Sequence, residues 1–213
     1  MKLKLLVSAT LLATFALTTN AQPPQADVDT SMSFFITSAG PGDGANLGGL
    51  AGADAHCAAL AEAAGTTGKT WHAYLSTTGP NGVDARDRIG DGPWYNANGV
   101  LAARNVMDVH YSNVNLNKQV SLTENGDTVN GRGDTPNQHD ILTGTNPDGT
   151  ASANNCSNWT SNAEDGSATV GHFDRTGGGA LAESWNAAHD SRGCSQANLI
   201  ATGGNGYFYC FAE

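Results

Sequence analysis

The sequence predicts an α+β domain in which loops outnumber regular elements, and three observations lead there. A single strong helix signal, ADAHCAALAEAA at Ala53–Ala64, stands between two short runs of strand character. The stretch from about Asn105 to Asn155 is polar, dominated by Asn, Asp, Gly and Thr, and has no sustained period. Two further strand-like runs close the chain. One helix followed by strands and irregular chain gives α+β rather than alternating βα units.

The elements follow in order. In Met1–Ala21, Lys2 and Lys4 precede an apolar run from Leu5 to Leu17, and Thr19 and Ala21 are small residues at the cleavage positions. Residues 1–21 therefore read as a secretory signal peptide. The apolar run is about 13 residues, short of the roughly 20 that a span requires, and no cysteine near the cleavage point offers a lipid-anchor site. Residues 22–32 are polar and proline-containing and read as a flexible lead, and 33–213 read as one folded domain. Phe34, Phe35 and Ile36 form a short buried strand. In Ala53–Ala64 the residues Cys57, Leu60, Ala61 and Ala64 fall on one helical stripe; Asp54 suits the first turn and Gly65 the stop. So many alanines imply a helix pressed close to a sheet. KTWHAYLST alternates, with Trp71, Ala73 and Leu75 on one face and His72, Tyr74 and Ser76 on the other, as in a half-buried strand. Asn98-Gly99 is a hairpin signal. A connection as long as 105–155 is either functional or disordered. Ala197–Ala201 and Tyr207–Ala212 read as two strands joined by the Gly203-Gly204-Asn205-Gly206 turn.

Charge narrows the partners. Ten basic residues face twenty acidic ones, for a formal net charge of −10. Like charge repels nucleic acid, heparin-like polyanions and anionic membrane surfaces. Export places the four cysteines in an oxidising compartment, where they pair. Spacing leaves three connectivities open and contains no CxxC, so zinc-ribbon and thioredoxin-like readings lack their ligands.

A family resemblance adds to this. GGLAGADAHCAALAEAAGTTGKTWHAYLST is similar to the start of endostatin, the C-terminal domain of collagens XV and XVIII: a Gly-Gly and a Gly-Ala-Asp open a cysteine-bearing helix, and a Thr-aromatic-x-Ala-aromatic-Leu-Ser strand follows. DARDRI, WYNANGVL, CSNWTSN and the closing CSQANLI with FYCFAE resemble later endostatin segments in the same order. CSNWTS, GHFDR, SWNAAH and FYCFA also resemble bacterial exported lectin-type proteins. The resemblance covers most of Phe34–Glu213. It implies a C-type-lectin-like fold with nested disulfides, Cys57–Cys210 outside and Cys156–Cys194 inside.

Candidate site residues follow from both readings. His72, His110, His139, His172 and His189 are the histidines with ligand chemistry, but no pair has HExxH spacing. Endostatin's zinc site uses an N-terminal His-x-His-x-Asp that is missing here, and Asp87, which resembles its later Asp, makes no site alone. No histidine metal site is therefore expected. Sugar-binding C-type lectins carry a Glu-Pro-Asn or Gln-Pro-Asp loop and a Trp-Asn-Asp strand; the nearest strings, Thr135-Pro136-Asn137 and Ser184-Trp185-Asn186, lack the full set. Calcium remains conceivable through the oxygens of Asp127, Asp134, Asp140 and Asp148. GHFDR (Gly171–Arg175) and ESWNAAH (Glu183–His189) mix charge, amide and aromatic groups. They suit a ligand pocket or, more simply, a hydrogen-bonded network that supports loops. Trp159 and Trp185 are expected in the core, while Trp94 and Tyr95, after Pro93, are the better exposed aromatics. The Arg132–Asp134 RGD string is short enough to arise by chance. The ligand-binding set is thus Trp94, Tyr95, Asn137, Asp140, His172, Asp174, Arg175, Asn186 and His189.

Catalytic signatures such as GxSxG, a P-loop or a dinucleotide fingerprint are absent. The expected function is that of a secreted or periplasmic, non-enzymatic recognition module for an extracellular glycan or protein. A hydrolase of envelope polysaccharide and a structural envelope protein are the alternatives.

Overall fold

The computed structural model describes residues 28–112 and 115–213. The signal-peptide reading of residues 1–21 and the first part of the lead, 22–27, lie outside the described residues. Met32, expected in the lead, is already buried. The fold is mixed α and β with few helices, an open six-stranded sheet and two disulfides.

The sheet is built on the last strand. β1 (Phe34–Ile36) and β2 (Trp71–Ala73) both run antiparallel to β8 (Gly204–Ala212), with Phe35 and Ala73 each opposite Cys210. β5 (Asp140–Leu142) pairs parallel with the start of β8, then β6 (Thr169–His172) and β7 (His189–Asp190) continue antiparallel to the open edge. The separate hairpin of β3 (Trp94–Tyr95) and β4 (Leu101–Ala103) turns through Asn98-Gly99 as its sequence predicts.

In β8 every residue except Asn205 is buried, which explains the continuous aromatic and apolar run YFYCFA. Alternate residues enter two cores. Phe208, Cys210 and Ala212 join Phe35, Trp71, Ala73, Leu75 and the Ala53, Cys57 and Ala61 stripe of α1 (Gly49–Ala63). Tyr207, Tyr209 and Phe211 join Phe34, Ile36, Tyr74, Trp94, Ile141 and Trp185 on the other side. The KTWHAYLST segment alternates as expected, but Tyr74 and Ser76 are buried as well. The strand divides two cores rather than facing water on one side.

Four further details differ from the sequence expectation. α1 begins four residues earlier, at Gly49, so Asp54 lies beyond the first turn. Its carboxylate instead accepts from the Ala73 amide at 2.8 Å and from Arg88 at 2.7 Å, tying helix to strand. Ala197–Ala201 is not a strand but part of α3 (Gln196–Thr202), because the Ser195 hydroxyl caps it by accepting from the Asn198 amide. The stretch 105–155 contains β5 and a π-helical turn at Asp108–Ser112. Trp94, expected to be exposed, is fully buried and donates from Nε1 to the Ala212 carbonyl at 3.1 Å; Tyr95 is half-buried.

The disulfides pair as the resemblance implies. Cys57–Cys210 joins α1 to β8 across 153 residues, and Cys156–Cys194 closes 38. Cys156 belongs to α2 (Cys156–Trp159), one turn whose four residues all have positive φ, from 49° to 66°. This left-handed backbone costs L-residues roughly 1–2 kcal/mol each. Three anchors hold it: the Cys156–Cys194 bond, the Trp159 indole donating to the Ser76 carbonyl at 2.7 Å, and the Asn158 amide bonded to the backbone of Thr78.

Chain-entropy arithmetic gives about 5 kcal/mol for the outer bond and about 4 for the inner as upper values. Replacing Cys57 and Cys210 together by Ser should therefore lower the unfolding free energy by up to about 5 kcal/mol, enough to remove most of the stability of a typical domain. Chemical denaturation under non-reducing conditions, compared with the Cys156/Cys194 double variant, measures the difference.

Candidate metal centre

Antiparallel pairing places Asp140 of β5 directly opposite His172 of β6, and Val170 opposite His189 of β7. Because side chains alternate along a strand, Asp140, His172 and His189 share one face of the sheet. His139, at the entry to β5, folds its ring over His172 with centroids 4.2 Å apart and planes 15° apart. Two close backbone approaches allow this assembly. A Cβ on Gly171 would sit 1.8 Å from the Trp185 carbonyl oxygen, so only glycine lets the 184–189 segment cross β6 there. At Gly203, where φ is +134°, a Cβ would lie 3.1 Å from Asp140 Oδ2.

The side-chain atoms converge. Asp140 Oδ1 lies 3.1 Å from His139 Nε2, 3.3 Å from His172 Nε2 and 3.6 Å from His189 Nε2, and the last two nitrogens are 2.9 Å apart. His139, Asp140 and His172 are buried, and the His189 side chain is 39% exposed. Neither carboxylate oxygen of Asp140 has a hydrogen-bond partner.

The outer nitrogens fix the tautomers. His172 Nδ1 lies 2.7 Å from the Ala182 carbonyl and His189 Nδ1 3.2 Å from the Asp190 carbonyl; a carbonyl only accepts, so both Nδ1 atoms donate. His139 Nδ1 faces Asp174 Oδ1 at 3.1 Å. Burial would raise the Asp174 pKa, but hydrogen bonds from His139 and from the Arg132 amide outweigh it and hold that carboxyl well below the usual carboxylate range. It therefore accepts. With all three Nδ1 atoms donating outward, each neutral imidazole turns the lone pair of Nε2 inward. Three nitrogen lone pairs and an unpaired carboxylate thus face one another, an arrangement that only protons or a cation can satisfy. Burial opposes charging of His172, but its contact with the Asp140 carboxylate at 3.3 Å and its bond to the Ala182 carbonyl outweigh burial and raise the His172 pKa, so a proton on His172 Nε2 is one way to satisfy Asp140 and a cation is the other.

The donor set discriminates among ions. Zinc at about 2.0–2.1 Å from tetrahedral ligands sets ligand atoms roughly 3.3 Å apart; Asp140 Oδ1 lies 3.1 and 3.3 Å from His139 and His172 Nε2, and the ligand atoms of these three residues all fall within 4.8 Å of one another, while His189 stands at the edge of the group, 2.9 Å from His172 Nε2. Imidazole nitrogens suit zinc and other late divalent metals, whereas calcium takes oxygen. Among the described residues, Asp127, Asp134, Asp140 and Asp148 do not gather into an oxygen-only cluster. Asp134 pairs with Lys118, Asp148 with Arg86, and Asp140 sits among the imidazoles.

Four residues of the expected ligand set, Asp140, His172, Asp174 and His189, therefore meet in one place. His139 joins them and was considered only as a histidine lacking HExxH spacing. HExxH spacing and the N-terminal His-x-His-x-Asp are both local patterns, whereas these residues come from β5 and the residue before it, from β6 and from β7. Asn137 is half-buried beside the centre, its amide nitrogen 3.0 Å from the position of a Gly203 Cβ. Arg175 follows Asp174 with φ +52° and donates from Nε to the Leu116 carbonyl at 2.6 Å. Trp94 lies in the core away from any ligand surface. Asn186 is buried: its amide donates to the Tyr74 hydroxyl and the Asn146 and Pro147 carbonyls, and its Oδ1 accepts from Ser184. Trp159 and Trp185 are core residues as expected. In comparisons with known proteins, no family model matches the chain and no curated protein matches it.

Asn186 holds loops together, so Asn186→Ala should lower stability by about 2 kcal/mol by removing its bonds to the Tyr74 hydroxyl and the Asn146 carbonyl, which keep His110 and the Gly149 amide, and by stranding the Pro147 carbonyl. Urea unfolding of the variant against the parent protein checks this.

Proposed function

We propose that this protein is an exported module that binds one zinc-class divalent metal through His139, Asp140 and His172, with His189 at the exposed edge of the group. The observation that carries the reading is the convergence of three inward Nε2 lone pairs on the unpaired, buried Asp140 carboxylate. Each imidazole has an oxygen acceptor behind it, the outer support that metal-bound histidines require. The two disulfides point to a compartment outside the reducing cytoplasm, which supports export.

The endostatin-like, C-type-lectin-like assignment remains part of this proposal, supported by the nested disulfide pairing. On that reading the loops beside the centre form a recognition surface for an extracellular glycan or protein. A half-open depression of about 620 Å³ along Arg175–Ser184 favours it.

Chelator-stripped protein titrated with zinc, with bound metal measured by elemental analysis after desalting, should take up one ion per chain. The Asp140→Asn/His172→Ala double variant should take up none, and calcium should not compete. Failure of the parent protein to retain zinc, or equal retention by the double variant, would overturn the proposal.

A further inference from the structure

We infer that the metal centre controls the order of the Arg175–Ser184 loop, and so the shape of the depression along this loop; the inference rests on the metal reading above. Both ends of the loop are attached to metal-ligand imidazoles. At its start, Asp174 holds His139 Nδ1 through Oδ1, and the same oxygen accepts from the Thr176 amide at 3.2 Å. At its end, the Ala182 carbonyl accepts from His172 Nδ1, and the Ser184 carbonyl accepts from the His172 amide at 2.9 Å. In the middle, Gly177 lies against the His172 ring, where an added Cβ would be 2.8 Å from Cε1. Between these attachments the loop has little packing: Thr176–Leu181 are exposed, and Gly178 and Gly179 face open space.

Arg175 anchors the start of the loop by donating from Nε to the Leu116 carbonyl; beyond it the hydrogen bonds of Thr176–Glu183 outside the loop run through Asp174 and the two imidazoles, so that part is only as ordered as those rings. A metal on Nε2 fixes the plane of each ring and therefore the direction of its Nδ1–H bond. Binding free energies are reciprocal: if Asp174 and Ala182 strengthen metal binding by orienting the ligands, metal must strengthen those two attachments equally. Asp174 is the positioning residue of this coupling, since it touches His139, the loop start and, through Oδ2, the Arg132 amide.

Amide hydrogen exchange on the full chain, chelator-stripped and zinc-saturated, tests this with the metal alone as probe. Exchange in peptides covering Thr176–Ser184 should slow by about 5- to 150-fold on loading, the range of typical coupling energies, while α1 peptides change little. Asp174→Ala should weaken zinc binding by about 10- to 100-fold and leave the loop fast-exchanging at saturating zinc. Asp174→Asn, which keeps an amide oxygen for His139 Nδ1–H, should restore most of the affinity. Stoichiometric zinc binding with unchanged loop exchange, or slowing spread evenly over the chain, would overturn the inference and leave the metal centre standing. Absence of zinc binding would remove both. If Asp174→Ala does not fold, the loaded and stripped parent protein decide alone.

Discussion

The structure depends on β8 being buried on both faces while pairing with three other strands. A nine-residue strand so placed takes up neighbours on both edges and forces its side chains alternately into two cores. The Cys57–Cys210 bond then fixes the middle of that strand to α1. With β8 held, its first residues set where β5 can lie: Asp140 pairs with Gly204 and its amide donates to the Gly203 carbonyl. The position of Asp140, and through it the four-residue cluster, follows from a strand end where no side chain intervenes.

Among the described residues, only two buried side-chain atoms outside the cluster, His72 Nδ1 and Ser121 Oγ, lack a hydrogen-bond partner, and neither is a carboxylate. Buried Glu124 is matched by Ser38 and Asn125, buried Asp108 by Arg104, and the Trp94, Trp159 and Trp185 indoles donate to carbonyls. Against that background the two unpaired oxygens of Asp140 stand out. An unpaired carboxylate at 3% exposure is costly unless a positive charge neutralises it. Three imidazoles whose outer nitrogens are already committed provide places for that charge, whether it arrives as protons or as a cation.

Much of the architecture was legible in the sequence because it is written in local patterns. The Phe34–Ile36 strand, the alanine-rich helix, the Asn-Gly hairpin and the continuous apolar run of β8 each carry a period or a turn residue. Misreadings occurred where tertiary context outweighs local signal. The run from Ala197 to Ala201 has apolar strand character, but Ser195 caps it as a helix. Trp94 follows a Pro in a polar stretch, yet its indole lies against Phe211 in the second core. The site was legible only in part. GHFDR and ESWNAAH marked His172, Asp174 and His189 as worth watching, and Asp140 stood out as a carboxylate. Nothing in the spacing of 139, 140, 172 and 189 says that they meet, because cross-strand register, not sequence distance, brings them together. His139 carried no signal beyond its residue type.

The α2 turn has a consequence of its own. Four consecutive residues of the opposite hand mean that the backbone from Cys156 to Trp159 follows the path that mirror-image amino acids would prefer. A chemically assembled version of the chain with D-serine at position 157 should fit this segment with less strain than the natural enantiomer. Chirality, usually uniform along a protein, would here be a local variable that the inner disulfide overrides.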